Sequence, residues 1–277
     1  MGVSKAASVA FLLFGVFGLG GMDMHITMTG NLGSGKSTIS KLIAEEYGME
    51  IYSTGKIQRE LAAERGLTVL EMNKLMQQDH SFDNIIDDRV RQVSIDRKDD
   101  LFFDSRLAWH FAVDTFKVFL SVNINEAARR VYGDNRGDVE SYASVEDCKK
   151  QLQERAHTED IRYEEIYGIH YFDLGNYNLI LDSTFSDPAT LVEVLMNEKA
   201  AYEAKVAAGE KNIPTRILLS PGRLLGTNVE NTRDNDMILD SDTVIRTGAD
   251  DFEIVSGRDA VEKAAREGYE FISVKNQ

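Results

Sequence analysis

The sequence predicts an α/β fold in which a mostly parallel sheet is flanked by helices, followed by a small α+β unit at the C-terminal end. Three observations carry this. From His25 onward, short apolar runs alternate with stretches of helical periodicity, the pattern of βαβ units. A glycine-rich turn, Gly30 to Ser37, stands between the first such run and the first helical stretch. After residue 213 the texture changes to short runs around a single helical stretch.

Strands are expected at His25–Thr29, Glu50–Tyr52, Leu101–Asp104, Phe116–Val122 and Tyr177–Asp182. Between them Ile39, Leu42 and Ile43 form a helical stripe closed by Gly48, and Thr68 with Glu71 makes a capping box ahead of Met72, Leu75 and Met76. A long helix is expected from Val145 to Tyr167, and Pro188 opens another through Leu191, Val194 and Leu195. Lys199–Lys211 is rich in Ala, Glu and Lys without a full apolar stripe and reads as a linker, placed at 201–212. It divides a core at 24–200 from a small α+β domain at 213–277. There the runs Ile217–Leu219, Thr243–Arg246, Phe252–Val255 and Phe271–Lys275 surround a helix at Asp259–Glu267 stopped by Gly268.

Residues 1–23 stand apart. The apolar run Ala6–Gly20 follows Lys5, carries three glycines and falls short of the about 20 residues a spanning helix needs. It reads as an extension outside the core, with Met22 or Met24 as the working start. A membrane anchor is the competing reading, which recovery of the full-length chain in a membrane pellet would establish.

Charge and cysteine use narrow the function. The 277 residues carry 46 acidic and 31 basic side chains, a net charge of −15, which argues against coating nucleic acid or an anionic bilayer. No nucleic-acid partner and no stable membrane association are expected, and any cationic site must be local. The single cysteine, Cys148, makes no internal disulfide and no thiolate cluster, so a reduced compartment, the cytoplasm, is expected, with the thiol a packing group.

Gly30-Asn31-Leu32-Gly33-Ser34-Gly35-Lys36-Ser37 fits G-x-x-x-x-G-K-[ST] at every defined position, in the strand-to-helix context that pattern requires. The motif identifies a P-loop NTPase core. Glycines let backbone N–H groups turn inward as an anion nest, the helix adds its positive end, Lys36 reaches the outer phosphates and the Ser37 hydroxyl can ligate Mg²⁺. The nucleotide phosphates are therefore expected on residues 30–37 and Thr38, although the loop alone does not separate ATPases, GTPases and small-molecule kinases. A glycine-rich turn with no ligand is the alternative, and turnover of a Lys36→Ala variant separates the two.

The core after the loop is compact, about 170 residues as in kinases of small metabolites, and lacks the N-K-x-D guanine signature. An anionic acceptor needs arginines, whose forked guanidinium suits bidentate phosphate contacts. Arg59 follows the second strand in Ser53-Thr54-Gly55-Lys56-Ile57-Gln58-Arg59, and Arg106 follows the third in Asp104-Ser105-Arg106, at the edge where open α/β sheets bind ligands. Asp104 closes an apolar run like the acid that holds Mg²⁺ through water in this class; orienting Arg106 is its competing role. Arg155 and Arg162, seven apart, share one helix face. Arg130 and Arg136 flank the Gly133–Gly137 segment, whose glycines can act as a hinge, while Arg129 reads as solvated; each of the three can instead pair with surface carboxylates. Asp182 ends the last core strand, either near the nucleotide or as a strand-end cap. Trp109 reads as a core aromatic, and His110, His157 and His170 lack metal-ligand spacing.

These stretches, with R-x-H-x-E-D-x-R-Y-x-x-x-Y-G from Arg155 to Gly168 and D-S-R-L-A-W from Asp104 to Trp109, resemble the cytidylate kinase family in its short archaeal-type form over Met24 to Leu195. The resemblance implies transfer of the γ-phosphoryl group of ATP, with Mg²⁺, to CMP or dCMP, a small-molecule acceptor held by Ser53, Arg59 and Arg106. It implies that Arg155 and Arg162 belong to a lid closing on the phosphates and act in catalysis with Lys36 and Asp104. A kinase of another small acceptor, or a nucleotide-gated binding module, are the rival readings. Near the C-terminus, Phe252–Asp259 with Ala264–Val274, preceded by Ile217–Leu225, resembles the ParB-like domain, its double-arginine turn reduced to Gly257-Arg258-Asp259. A structural or regulatory module of unidentified partner is expected there, although Arg258 at a helix start can hold an anion.

Overall fold

Six consecutive buried residues, His25–Gly30, form strand β1 near the middle of a nine-stranded sheet. The computed structural model describes residues 24–277 except 69–70, 73–74, 76–80, 135–141, 228, 234–235 and 249–250. The expected extension at 1–23, Met76, and the Arg136 and Gly137 end of the expected hinge lie outside the described residues.

The remaining strands are β2 (Glu50–Ser53), β3 (Leu101–Asp104), β4 (Thr115–Ser121), β5 (Leu179–Asp182), β6 (Arg216–Leu219), β7 (Ile238–Thr247), β8 (Phe252–Ser256) and β9 (Phe271–Asn276), in the order β2-β3-β1-β4-β5-β6-β9-β7-β8. The six strands from β2 to β6 pair in parallel. Burial on both faces explains why β3 and β5 read as continuous apolar runs rather than as alternation. The register sets Ser53 and Met28 beside Asp104, so β2 and β3 end level while β1 runs two residues further, to Gly30.

Helix α1 (Lys36–Tyr47) buries Ile39 and Ile43 and ends on Gly48 in the left-handed region. The other helices are α2 (Thr54–Glu64), α3 (Ser81–Asp96), α4 (Ala108–Phe111), α5 (Ile124–Gly133), α6 (Val145–Tyr167), α7 (Pro188–Ala207), α8 (Pro221–Leu225) and α9 (Arg258–Arg266). The capping box forms: the Glu71 carboxylate accepts from the Thr68 backbone N–H at 2.8 Å, and the Thr68 hydroxyl accepts from Glu71 N–H at 3.2 Å. Cys148 is fully buried among Ala127, Val131 and Leu152. Trp109 packs at 5.1 Å on Tyr177 in the core.

The linker expectation is corrected. Helix α7 runs on to Ala207, because Tyr202 and Val206 pack on the core and Lys199 is buried with its charge matched by Asp100 at 3.1 Å and Glu203 at 2.6 Å. These contacts are tertiary, so the local pattern showed no stripe. The C-terminal α+β unit then extends the sheet: β6 pairs in parallel with β5, and β9 runs antiparallel to β6. One apolar cluster joins Phe119 and Ile180 of the core to Leu219, Ile245, Val261 and Ile272 of that unit.

Candidate active site

The turn from β1 into α1 is set by sterics. At Gly30 a Cβ would collide with the carbonyl of Leu120 on β4, so only glycine lets the two strands stay paired up to the loop. Gly35, at φ 91, is the left-handed residue from which α1 starts, with no side-chain cap on the helix N-terminus. Asn31 pins the loop to β4 by accepting from Val122 N–H at 3.1 Å and donating its own N–H to Leu120 at 3.1 Å. Ser183 holds the other side, donating to the Ser34 carbonyl at 2.8 Å. Beneath the loop the buried Tyr171 hydroxyl bonds Thr29 and accepts from Gly30 N–H at 3.3 Å.

Lys36 folds back into this loop, donating to the carbonyls of Gly30 at 3.0 Å and Asn31 at 2.8 Å. Burial lowers its ammonium to about 7, and the Arg106 charge pushes the same way, against Asp104 and Glu159. Ser37 and Thr38 are exposed in the first turn of α1. Asp104 is half-buried at the β3 edge, and burial raises its carboxyl above the ordinary range while Lys36 and Arg106 oppose that rise. Mg²⁺ in phosphate sites is held by one or two side-chain oxygens, with water and phosphate completing the shell. The Ser37 hydroxyl and the Asp104 carboxylate are a donor set of that kind. Among the described residues no group of three or more His, Cys, Asp or Glu can hold a metal ion.

Arg106 leaves the β3 edge and meets Glu159 of α6 at 2.6 Å, and Arg155 meets the other oxygen of Glu159 at 3.2 Å. One carboxylate thus bridges an arginine of the sheet edge and an arginine of the long helix, and Lys36 feels all three charges. Arg162, two turns along, faces solvent. Ser53 caps α2, its hydroxyl accepting from Lys56 N–H at 3.2 Å, and Arg59 is exposed one and a half turns on. Lys36, Asp104, Arg106 and Arg155 are therefore gathered in this structure, while Arg59 and Arg162 are exposed and not among the charges acting on Lys36.

Arg129, Arg130, Asp182 and Arg258 have partners of their own. Arg130 donates to the carbonyls of Ser183 at 2.7 Å and Thr184 at 3.0 Å, and to Glu126, which Arg129 also engages. Asp182 is a strand-end anchor: fully buried, it accepts from Thr184 N–H and Ser220 N–H and pairs with Arg223 at 2.7 Å. Arg258 at the start of α9 is engaged by Glu262 at 3.1 Å. Glu159, Tyr171, Ser183 and Arg223 were missed. Glu159 lay in view, one helical turn beyond Arg155; the other three act through contacts that no local pattern encodes.

Positive charge from two separate elements, converging beside a phosphate-sized loop at the carboxyl edge of a parallel sheet, suits moving a phosphoryl group between polyanions. The fold and site are those of a P-loop kinase of the nucleoside monophosphate class. Sequence comparison agrees: the profile of the Cytidylate kinase-like family matches residues 25–185, and the chain belongs to that family. Similar relatives include the cytidylate kinase of Haloquadratum walsbyi, 34% identical over 198 residues covering 71% of this chain and 98% of that one. Those of Haloarcula marismortui (34% identical over 181 residues, 65% and 91%) and Methanosarcina mazei (35% over 163 residues, 58% and 87%) follow.

Proposed function

We propose that the protein transfers the γ-phosphoryl group of ATP to CMP or dCMP. The observation that carries the reading is the meeting of Arg106 and Arg155 on Glu159 beside Lys36. A phosphate presents paired oxygens much as a carboxylate does, so an incoming phosphate takes the place of Glu159 between the two guanidinium groups. The cytidylate kinases among the relatives support cytosine as the acceptor base.

In this reading the loop N–H groups of residues 30–37, Thr38 and Lys36 hold the donor phosphates. Ser37 and Asp104, the latter through water, hold Mg²⁺, which neutralises charge on the transferring phosphate when bound. Ser53, Arg59 and Arg106 orient the acceptor, and Arg155 with Arg162 close over the transferred group from α6. The acceptor phosphate oxygen is itself the nucleophile, so the protein positions and neutralises rather than abstracting a proton. Closure excludes water that would otherwise take the phosphoryl group. We also read the C-terminal unit as a degenerate ParB-like domain, which the strand–helix–strand order around Gly257 and Arg258 supports.

The test is ADP release in a coupled assay with ATP, Mg²⁺ and a panel of nucleoside monophosphates. Turnover with CMP and dCMP above all others is expected, and a loss of about 10²–10³-fold in Lys36→Ala. Turnover only with another acceptor overturns the choice of base; binding without turnover overturns the kinase reading.

A further inference from the structure

We propose that the C-terminal unit completes the pocket for the base of the donor nucleotide, with the turn Gly226–Thr227 as its outer wall. The inference rests on the donor reading above. A nucleotide whose phosphates lie on the loop must send its base to one side. One side is taken by Arg106, Arg155 and Glu159. The other opens through the two elements that touch the loop there: α5, whose Ala127 closely approaches Gly33, and the segment after β5, whose Ser183 bonds Ser34.

Those same two elements lead directly into a cavity of about 350 Å³, large enough for a small-molecule group. Asn125 and Arg129 come from α5, and Thr184 and Phe185 from the segment after β5. Gly222 and Thr227, which close it, come from α8 and the turn that follows. The lining has the chemistry of a planar heterocycle site. Phe185 is 43% exposed, an unusual state for so large a ring, and the Arg129 guanidinium offers a second flat, cationic surface. Asn125 and Thr227 carry the polar groups that can meet ring edges. Gly222 packs so closely under the turn that a Cβ there would stand 2.7 Å from the Thr227 carbonyl and 3.4 Å from the Phe185 ring.

The wall is held rigidly. Arg223, buried next to Gly222, pairs with Asp182 at 2.7 Å and Asp251 at 2.8 Å and donates to Ser121 at 2.9 Å. Asp251 in turn bonds Asn123 at the start of α5. Both sides of the cavity are thereby fixed to the sheet edge that carries the loop. Gly222, Arg223 and Thr227 all lie beyond residue 185, where the match to the family profile ends.

The experiment compares binding of Mg-ATP and of inorganic tripolyphosphate to the full chain by calorimetry. The wild type is expected to bind ATP about tenfold or more tightly than tripolyphosphate, as base stacking allows. Thr227→Trp, at an exposed position, fills the cavity: ATP binding should weaken about tenfold, tripolyphosphate binding should change less than about twofold, and the acceptor KM should hold. Thr227→Leu is the milder intrusion, with a smaller selective loss, and circular dichroism verifies the fold of both. Unchanged ATP affinity in a folded Thr227→Trp, equal loss for both ligands, or a wild type indifferent to the base overturns the proposal. A protein that binds ATP through its base yet phosphorylates no CMP overturns the acceptor reading alone.

Discussion

Arg106, at the end of β3, and Glu159, on α6, form an ion pair of 2.6 Å in which both side chains are largely withdrawn from water. The carboxylate also draws in Arg155, at 3.2 Å. In the proposed function an entering acceptor phosphate displaces the carboxylate. Replacing Glu159 by Gln keeps the shape and removes the competing charge. Inorganic phosphate and CMP should then bind about three- to tenfold more tightly, with a steeper salt dependence, as titration calorimetry at two ionic strengths would read. Weaker binding would mean that Glu159 orients the arginines rather than competing with the ligand.

Lys36 makes binding depend on pH. In the free protein its ammonium titrates at about 7, chiefly because it is buried and also because Arg106 is near. A polyphosphate beside it favours the charged form and raises that value. Between about 7 and the raised value the complex holds more protons than the free protein, so binding takes up a proton and affinity falls as pH rises through that window. At pH 8 the observed binding heat should vary with the ionisation enthalpy of the buffer. A heat independent of buffer would contradict the lowered Lys36.

Arg223→Met leaves Asp182 and Asp251 without their shared cation in the interior. Removing one partner of a buried pair costs about 3–5 kcal/mol, because the remaining charge stays desolvated. Asp182 has no exposure at all, so little solvent screening softens the loss. A fall of the thermal midpoint on the order of 10 °C is expected for a chain of this size, with Arg223→Lys falling less. A midpoint within 2 °C of wild type, on the same scale, would show that the anchor carries little energy.

Truncation after Tyr202 should not yield a free-standing kinase core. It strips β6 from β5, leaving β5 as an unpaired edge, and uncovers Phe119 and Ile180, which pack against the C-terminal unit. Binding of a hydrophobic dye and loss of soluble protein are expected. A truncated chain that melts cooperatively with unchanged kinetics would make the C-terminal unit dispensable.

Much of this molecule was legible in the residues themselves. The loop from Gly30 to Ser37 was, because glycines at close approaches and a lysine at a helix start are local requirements. Strand β3 was found with its bounds, and so was α6, whose start at Val145 and stop at Gly168 are written in a Ser144 cap and a left-handed glycine. The position of Arg106 at a strand end was equally local. What was not legible involves partners distant in the chain. The helical turns at 201–207 depend on Asp100 receiving Lys199 and on Phe116 receiving Tyr202, 5.4 Å away, so the segment looked like a linker.

The sequence by itself determined the α/β class, the phosphate loop and the arginine-bearing elements, because each rests on backbone geometry and spacing within a few residues. Only the tertiary structure decided that Glu159 joins Arg106 to Arg155, that Tyr171 lies beneath the loop, and that Arg223 binds the C-terminal unit to Asp182. Those pairings join charges and hydroxyls across separations of 41 to 142 residues for all but the Arg155 contact, and burial is what gives them their strength. No periodicity records which buried charge will meet which.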